Sequence, residues 1–254
     1  MKVIVIASRK GGTSKTSTAH ALGAGLKRTG NRVLYCDLDS QANLTYAIGA
    51  KQGRYSCMDM LTGKIPAVQV IQRTDQGDIL PGSADLAAAD TVLTSTGKEY
   101  RLRECLAPVR NAYDYVVIDT PAQLGTLTIN ALTAADGVII PVQADIFSLQ
   151  GMDLLADAIQ SVKRYTNPAL DVLGVLITRY NGRAVLSRDM RELLQQSAEQ
   201  LGTKLFNTVI RECISVKEAA TVQQDIFSYA PRSNAAKDCN AFLSELLNER
   251  TIGG

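Results

Sequence analysis

Along the chain, short β-branched runs alternate with segments of helical length. The runs predict strands over residues 3–7, 32–36, 78–80, 115–119, 137–141, 172–178 and 205–210. They are continuously apolar, as in a parallel sheet covered on both faces, rather than alternating as in a half-exposed sheet. Between them the apolar spacing predicts helices over 15–28, 84–91, 98–109, 124–133, 149–165, 183–201 and 235–248. Such alternation calls for right-handed crossovers and a doubly wound, mostly parallel sheet with helices on both faces, an α/β fold. No linker, repeat or low-complexity stretch interrupts it, so one domain over residues 1–254 is expected. In open sheets of this kind ligands sit beyond the carboxyl ends of the strands.

Composition narrows the field. A chain of 254 residues suffices for one large α/β domain. No stretch approaches the run of about 18 apolar residues that a membrane-spanning helix needs. The opening MKVIVIAS is short and runs straight into a charged Gly-rich loop, so it reads as a buried strand, not an export signal. The expected location is the cytoplasm. The five cysteines are scattered without a Cys-x-x-Cys pair, and read as reduced core thiols, not metal ligands or a disulfide framework. His20 is the only histidine and falls inside the first helix, beside Ala19, so a direct chemical role is not expected of it.

The chemistry begins after the first strand, at Arg9-Lys10-Gly11-Gly12-Thr13-Ser14-Lys15-Thr16-Ser17. Gly11 and Gly12 allow a tight turn that brings backbone N–H groups near an anion. The helix starting near Lys15 adds unpaired N–H groups and a partial positive charge. Lys15 can place its ammonium on β- and γ-phosphates, and the Thr16 hydroxyl can ligate Mg²⁺. Arg9 and Ser14 occupy the two glycine positions of the standard G-x-x-x-x-G-K-[ST] loop. The pattern met instead is K-G-G-x-x-K-[ST], with Lys10 as a second lysine.

Two further motifs also lie at strand ends. Asp37-Leu38-Asp39-Ser40-Gln41-Ala42-Asn43 closes the second strand, and period-two spacing puts Asp37 and Asp39 on one side of an extended chain. Tyr115-Val116-Val117-Ile118-Asp119 is an apolar strand ending in a carboxylate, as a Walker B site requires to present one anion to Mg²⁺.

In these three motifs the chain resembles the deviant Walker A ATPases, specifically the ParA/Soj partition proteins, with MinD and the nitrogenase iron protein as cousins. The resemblance extends over essentially the whole chain. The family carries D-x-D-P-Q-G-N where Ser40 and Ala42 stand, and D-x-P-P where Ala122 stands. It also carries glycine at the place of Ser14, so a Cβ there is expected to crowd the phosphates or resist the dihedral, lowering affinity or turnover.

The resemblance implies bound ATP and Mg²⁺, with residues 10–17 around the phosphates and Thr16, Asp37 and Asp119 in the magnesium region. It implies that Asp39 orients or deprotonates the attacking water. It implies that Lys10 reaches across a homodimer to the partner's phosphates, so that ATP glues two subunits together and slow hydrolysis releases them. A ParB-like activator and non-specific duplex DNA are the implied partners, with the ATP-bound form on the nucleoid. Between Gln160 and Lys217 nine basic residues face five acidic ones, in a chain whose net charge is only +2. Arg183, after Thr178-Arg179-Tyr180-Asn181-Gly182, matches the family's DNA-contacting arginine, and Arg211 and Lys217 lie in a second basic stretch. Ion pairs with Asp189, Glu192 or Glu212 are the plainer reading of these charges.

The alternatives are a MinD-like membrane-cycling ATPase, an iron–sulfur relative, and a nucleotide-binding switch with little hydrolysis. The missing Cys-x-x-Cys disfavours the iron–sulfur reading. The last helix carries one base against two acids over residues 241–250, which disfavours a lipid-binding face. Because the first strand begins near residue 2, no separate operator-binding domain is expected ahead of it.

Overall fold

The computed structural model describes the chain apart from residues 52, 182–185 and 252–254. The described residues form an eight-stranded sheet of β1 (Lys2–Ile6), β2 (Val33–Asp37), β3 (Gln72–Thr74), β4 (Gly77–Leu80), β5 (Tyr115–Asp119), β6 (Gly137–Val142), β7 (Asp171–Tyr180) and β8 (Leu205–Arg211). Its order is β3-β4-β2-β5-β1-β6-β7-β8, with every pair parallel except β3 and β4. The helices are α1 (Lys15–Arg28), α2 (Asn43–Ala47), α3 (Cys57–Leu61), α4 (Ala67–Val70), α5 (Ala89–Val92), α6 (Arg101–Leu106), α7 (Thr126–Ala134), α8 (Ile146–Tyr165), α9 (Leu186–Gln200), α10 (Ile214–Thr221), α11 (Ile226–Tyr229) and α12 (Asn234–Thr251).

The unbroken apolar runs are explained by what covers them. Along β1, Val3, Val5 and Ala7 join a core with Leu102, Leu132 and Leu155 of α6, α7 and α8. Ile4 and Ile6 join a second core on the opposite face, with Leu22 and Leu26 of α1 and Phe242, Leu243 and Leu246 of α12. Each fully buried aliphatic side chain contributes roughly 1.5–3 kcal/mol, so both faces select for β-branched residues. The apolar stripe of α12 is thus taken up inside the fold. Among the described residues no helix is long and apolar enough to cross a membrane.

The fold class matches the sequence expectation, and differences in the elements are local. Residues 84–91 form a 3-10 turn, Ala84–Ala88, leading into α5, and residues 98–109 are α6 flanked by two 3-10 turns. The edge strand β3 is the polar triplet Gln72-Arg73-Thr74, which carries no apolar signal, and α2, α3, α4, α10 and α11 are too short to show a helical period.

Helix α1 sits unusually close to the sheet. A Cβ added at Gly23 would stand 2.2 Å from the buried Tyr35 ring on β2. The Tyr35 hydroxyl donates to the His20 carbonyl at 3.3 Å. His20 itself is buried, with Nε2 2.9 Å from Gln76 Oε1. The amide hydrogens of Gln76 point to the carbonyls of Ala47 and Gln223, which makes Oε1 the acceptor and puts the His20 proton on Nε2. The sole histidine thus ties α1 to the β3–β4 turn.

Candidate phosphate-binding site

The loop between β1 and α1 lies at the carboxyl edge of the sheet. Gly12 (φ 78°) and Ser14 (φ 62°, ψ 28°) both take the left-handed conformation. Ser14 therefore adopts the dihedrals that glycine would supply, despite its Cβ. It also sits at the N-cap of α1 without a side-chain cap bond, and the first turn carries no acidic residue. The orphan N–H groups there are consequently free of a competing side chain, which suits them to an anion. The loop's carbonyls point away: Gly12 O accepts from Gln143 Nε2 at 2.7 Å, and Thr13 O from Thr178 Oγ1 at 3.0 Å. The Lys10 carbonyl accepts from Thr13 Oγ1 at 3.2 Å and from Lys15 Nζ at 3.4 Å.

Lys15 is buried, and desolvation lowers its pKa against the opposing pull of Asp119 and Asp39. Thr16 Oγ1 donates to Asp119 Oδ2 at 2.6 Å. Asp119 is wholly buried, and its other oxygen, Oδ1, has no hydrogen-bond partner. Burial first, and then the neighbouring Asp37 carboxylate, push the Asp119 pKa well above the carboxylate range. The two aspartates are register partners at the ends of β2 and β5. A buried carboxylate with one oxygen orphaned calls for a proton or a cation. Thr16 and Asp119 therefore fit Mg²⁺, which accepts one or two protein oxygens when water and phosphate fill the rest of its shell.

The two aspartates of the second motif part company. Asp39 is half-buried and lines the cleft, while its Oδ1 accepts from Gln41 N at 3.0 Å. Asp37 is fully buried and its oxygens are taken: Oδ2 by Thr45 N (2.8 Å) and Thr45 Oγ1 (2.7 Å), Oδ1 by Asp39 N (3.1 Å). Desolvation outweighs these bonds and raises its pKa to about 6. Asp37 thus shapes the turn that carries Asp39.

The cleft measures about 510 Å³ and runs from Gly11–Thr18 past Asp39 and Asn43 to the ends of β7 and β8 and the α10 helix. Arg179 and Glu212 pair across its wall at 2.7 Å, and Arg179 Nη1 lies 3.5 Å from Gly12 O. Sequence reasoning assigned no site role to Gln143, Arg179 or Glu212, although each follows or ends a strand at the carboxyl edge, where such residues are to be sought.

Lys10 is held by Asp145 just outside the cleft. Of the three basic candidates in the C-terminal third, Arg183 lies outside the described residues. Arg211 is engaged by Asp238, with Nη2–Oδ1 2.6 Å and Nε–Oδ2 2.9 Å, an acid other than those expected. Lys217 is exposed on α10, at the cleft.

Outward carbonyls, a helix start without a capping side chain, and a lysine beside Thr16 and the buried Asp119 define a P-loop nucleotide-binding protein. The comparisons with known proteins agree. Residues 1–172 match an AAA domain. Over 241 residues the chain is 36% identical to the sporulation initiation inhibitor protein Soj of Bacillus subtilis, covering 93% of this chain and 94% of that one. It is 36% identical over 236 residues to the chromosome partitioning protein ParA of Caulobacter vibrioides, covering 90% and 87%. A crystal structure of cobyrinic acid a,c-diamide synthase from Mycobacterium smegmatis, with bound ATP analog and magnesium, superposes with a TM-score of 0.86 at 32% identity, covering 100% and 97%. The chain belongs to the ParA/Soj family of partition ATPases.

Proposed function

We propose that this chain is a single-domain, cytoplasmic partition ATPase that binds Mg-ATP, dimerises around it and holds DNA non-specifically in that state. The observation that carries the reading is the Thr16–Asp119 pair, with its orphaned carboxylate oxygen, directly behind the Gly11–Lys15 loop. Nucleotide and magnesium are supported by the complex of the Mycobacterium smegmatis neighbour. The partition role follows the relatives named for it.

The mechanism uses the residues in place. The N–H groups of residues 11–16 and the Lys15 ammonium hold the phosphate oxygens and offset the charge that develops on them. Thr16 and Asp119 would hold Mg²⁺, which would supply positive charge to offset that of the phosphates. Asp39, at the cleft wall, orients a water in line with the γ-phosphorus and accepts its proton. The water oxygen bonds to phosphorus as the bond to the β,γ-bridging oxygen breaks, leaving ADP and inorganic phosphate. Lys10, once released from Asp145, reaches the phosphates of a second copy, which makes ATP part of the dimer interface. Turnover is slow until a ParB-like activator engages the dimer, and the ATP-bound dimer associates with the nucleoid through Arg183, Arg211 and Lys217.

Sedimentation of the purified protein with Mg-ATP, Mg-ADP or no nucleotide, each with and without random-sequence duplex DNA, tests this. A dimer formed only with ATP, and bound to DNA only then, is the expected outcome. A protein indifferent to nucleotide overturns the reading.

A further inference from the structure

We infer that Gln143 and Thr178 are positioning residues that hold the phosphate loop on a path its own Ser14 opposes. The inference rests on the nucleotide-binding reading for its functional half; the bracing itself is a property of the nucleotide-free fold.

Ser14 takes φ 62° and ψ 28°, where a Cβ is disfavoured and where the family has glycine. A residue held in such a region persists only when its surroundings over-determine it. Here the surroundings are specific. The plane of the peptide joining Thr13 to Ser14 sets φ of Ser14, and its oxygen is held by Thr178 Oγ1 at 3.0 Å. The preceding peptide is held at Gly12 O by Gln143 Nε2 at 2.7 Å, with Arg179 Nη1 more distant at 3.5 Å. In a trans peptide the C=O and N–H point in opposite directions. Drawing both carbonyls outward therefore turns the N–H groups of Thr13 and Ser14 inward, toward the phosphates.

Both donors stand on rigid supports. Thr178 is buried in β7, and the single proton of its hydroxyl is shared between Thr13 O at 3.0 Å and Val142 O of β6 at 3.1 Å. Gln143 follows β6 directly, and its own N–H donates to Ser148 Oγ in the first turn of α8 at 3.2 Å. The loop is thus braced from β6, which pairs with β1, and from β7 on the far side of β6. With glycine at position 14 the same path would be intrinsically accessible, and the braces would matter less.

A double-mutant cycle tests the inference. Gln143→Ala and Ser14→Gly are made singly and together, with Thr178→Val and its conservative counterpart Thr178→Ser as a second pair. The measurements are affinity for a fluorescent ATP analogue with Mg²⁺ and denaturant stability of the nucleotide-free protein. Gln143→Ala is expected to weaken nucleotide binding about tenfold beside Ser14 and less than about threefold beside Gly, the non-additivity of residues sharing one network. Thr178→Val should behave likewise, and Thr178→Ser should retain wild-type affinity. In the nucleotide-free protein the denaturation midpoint should fall less on Gln143→Ala beside Ser14 than beside Gly, because the freed loop then relaxes the strained Ser14 backbone. Equal effects of Gln143→Ala in the two backgrounds, on both measurements, overturn the inference. A wild-type protein that binds no nucleotide overturns the functional reading alone, because the stability cycle then decides whether the braces act; if a Gln143 variant does not fold, the Thr178 pair decides it.

Discussion

The ammonium of Lys10 stands 2.6 Å from Asp145 Oδ2 and 5.8 Å from the ring centroid of Phe147, so the second lysine of the loop is occupied within its own subunit. Asp145 has another duty: its Oδ1 caps α8 by accepting from Ser148 N at 2.9 Å. Asparagine keeps a cap acceptor and removes the charge. Asp145→Asn should therefore release Lys10 without unravelling α8. A partly exposed pair contributes about 0–1 kcal/mol and a dimer breaks one in each subunit, so ATP-dependent dimerisation should tighten by up to roughly 30-fold. Sedimentation with Mg-ATP across a concentration series measures this, and Lys10→Ala should lose the dimer in either background.

Lys15 and Asp39 line the same cleft but should fail in different ways. Lys15→Ala removes the buried charge beside the loop and should abolish detectable Mg-ATP binding in a titration. Asp39→Ala leaves the loop, Thr16 and Asp119 intact, so the variant should still bind ATP and dimerise. Its phosphate release should fall by about 100-fold or more, the usual scale for losing a general base. Undiminished turnover in Asp39→Ala would remove the water-positioning role.

The sheet was readable because both of its faces are covered, so each central strand is an unbroken apolar run; the polar triplet Gln72-Arg73-Thr74 at the edge gave no such signal. The phosphate loop was readable because its chemistry is local in sequence. At Ser14 and Ala42 the family pattern proved the better guide to backbone: both replace glycine, and both take positive φ, 62° and 50°. What could not be read were contacts between distant segments. The carboxylate of Asp37 is engaged by Thr45, Arg211 by Asp238 and Lys10 by Asp145, and no local spacing encodes those choices.

His20 supplies a pH dependence whose sign is fixed. Burial lowers its pKa below 6.5, against the raising effects of Gln76 and Asp225, so the folded protein prefers the neutral ring. A depressed histidine contributes its full stability above pH 6.5 and loses it as the pH falls below that value, by up to about 1.4 kcal/mol per unit. Asp37 and Asp119 have raised values and act with the opposite sign, so the comparison must be between proteins that share them. The denaturation midpoint of wild type should drop relative to that of His20→Gln between pH 7 and pH 5. Parallel curves would mean that His20 is not held neutral.

Arg211 and Lys217 should differ as DNA contacts, although they lie in the same basic stretch. The Arg211 guanidinium is engaged by Asp238 through two hydrogen bonds, whereas Lys217 is exposed on α10. A phosphate contact adds roughly one to the slope of log affinity against log salt. Lys217→Ala should therefore weaken binding of random duplex to the ATP-bound protein and lower that slope by about one. Arg211→Ala should do less, because the arginine must first leave Asp238. Asp238→Asn, which removes the competing carboxylate, should strengthen DNA binding and steepen the slope. Fluorescence anisotropy over a salt series measures all three, and an Asp238→Asn variant with unchanged affinity and slope would show that Arg211 does not meet the phosphate backbone.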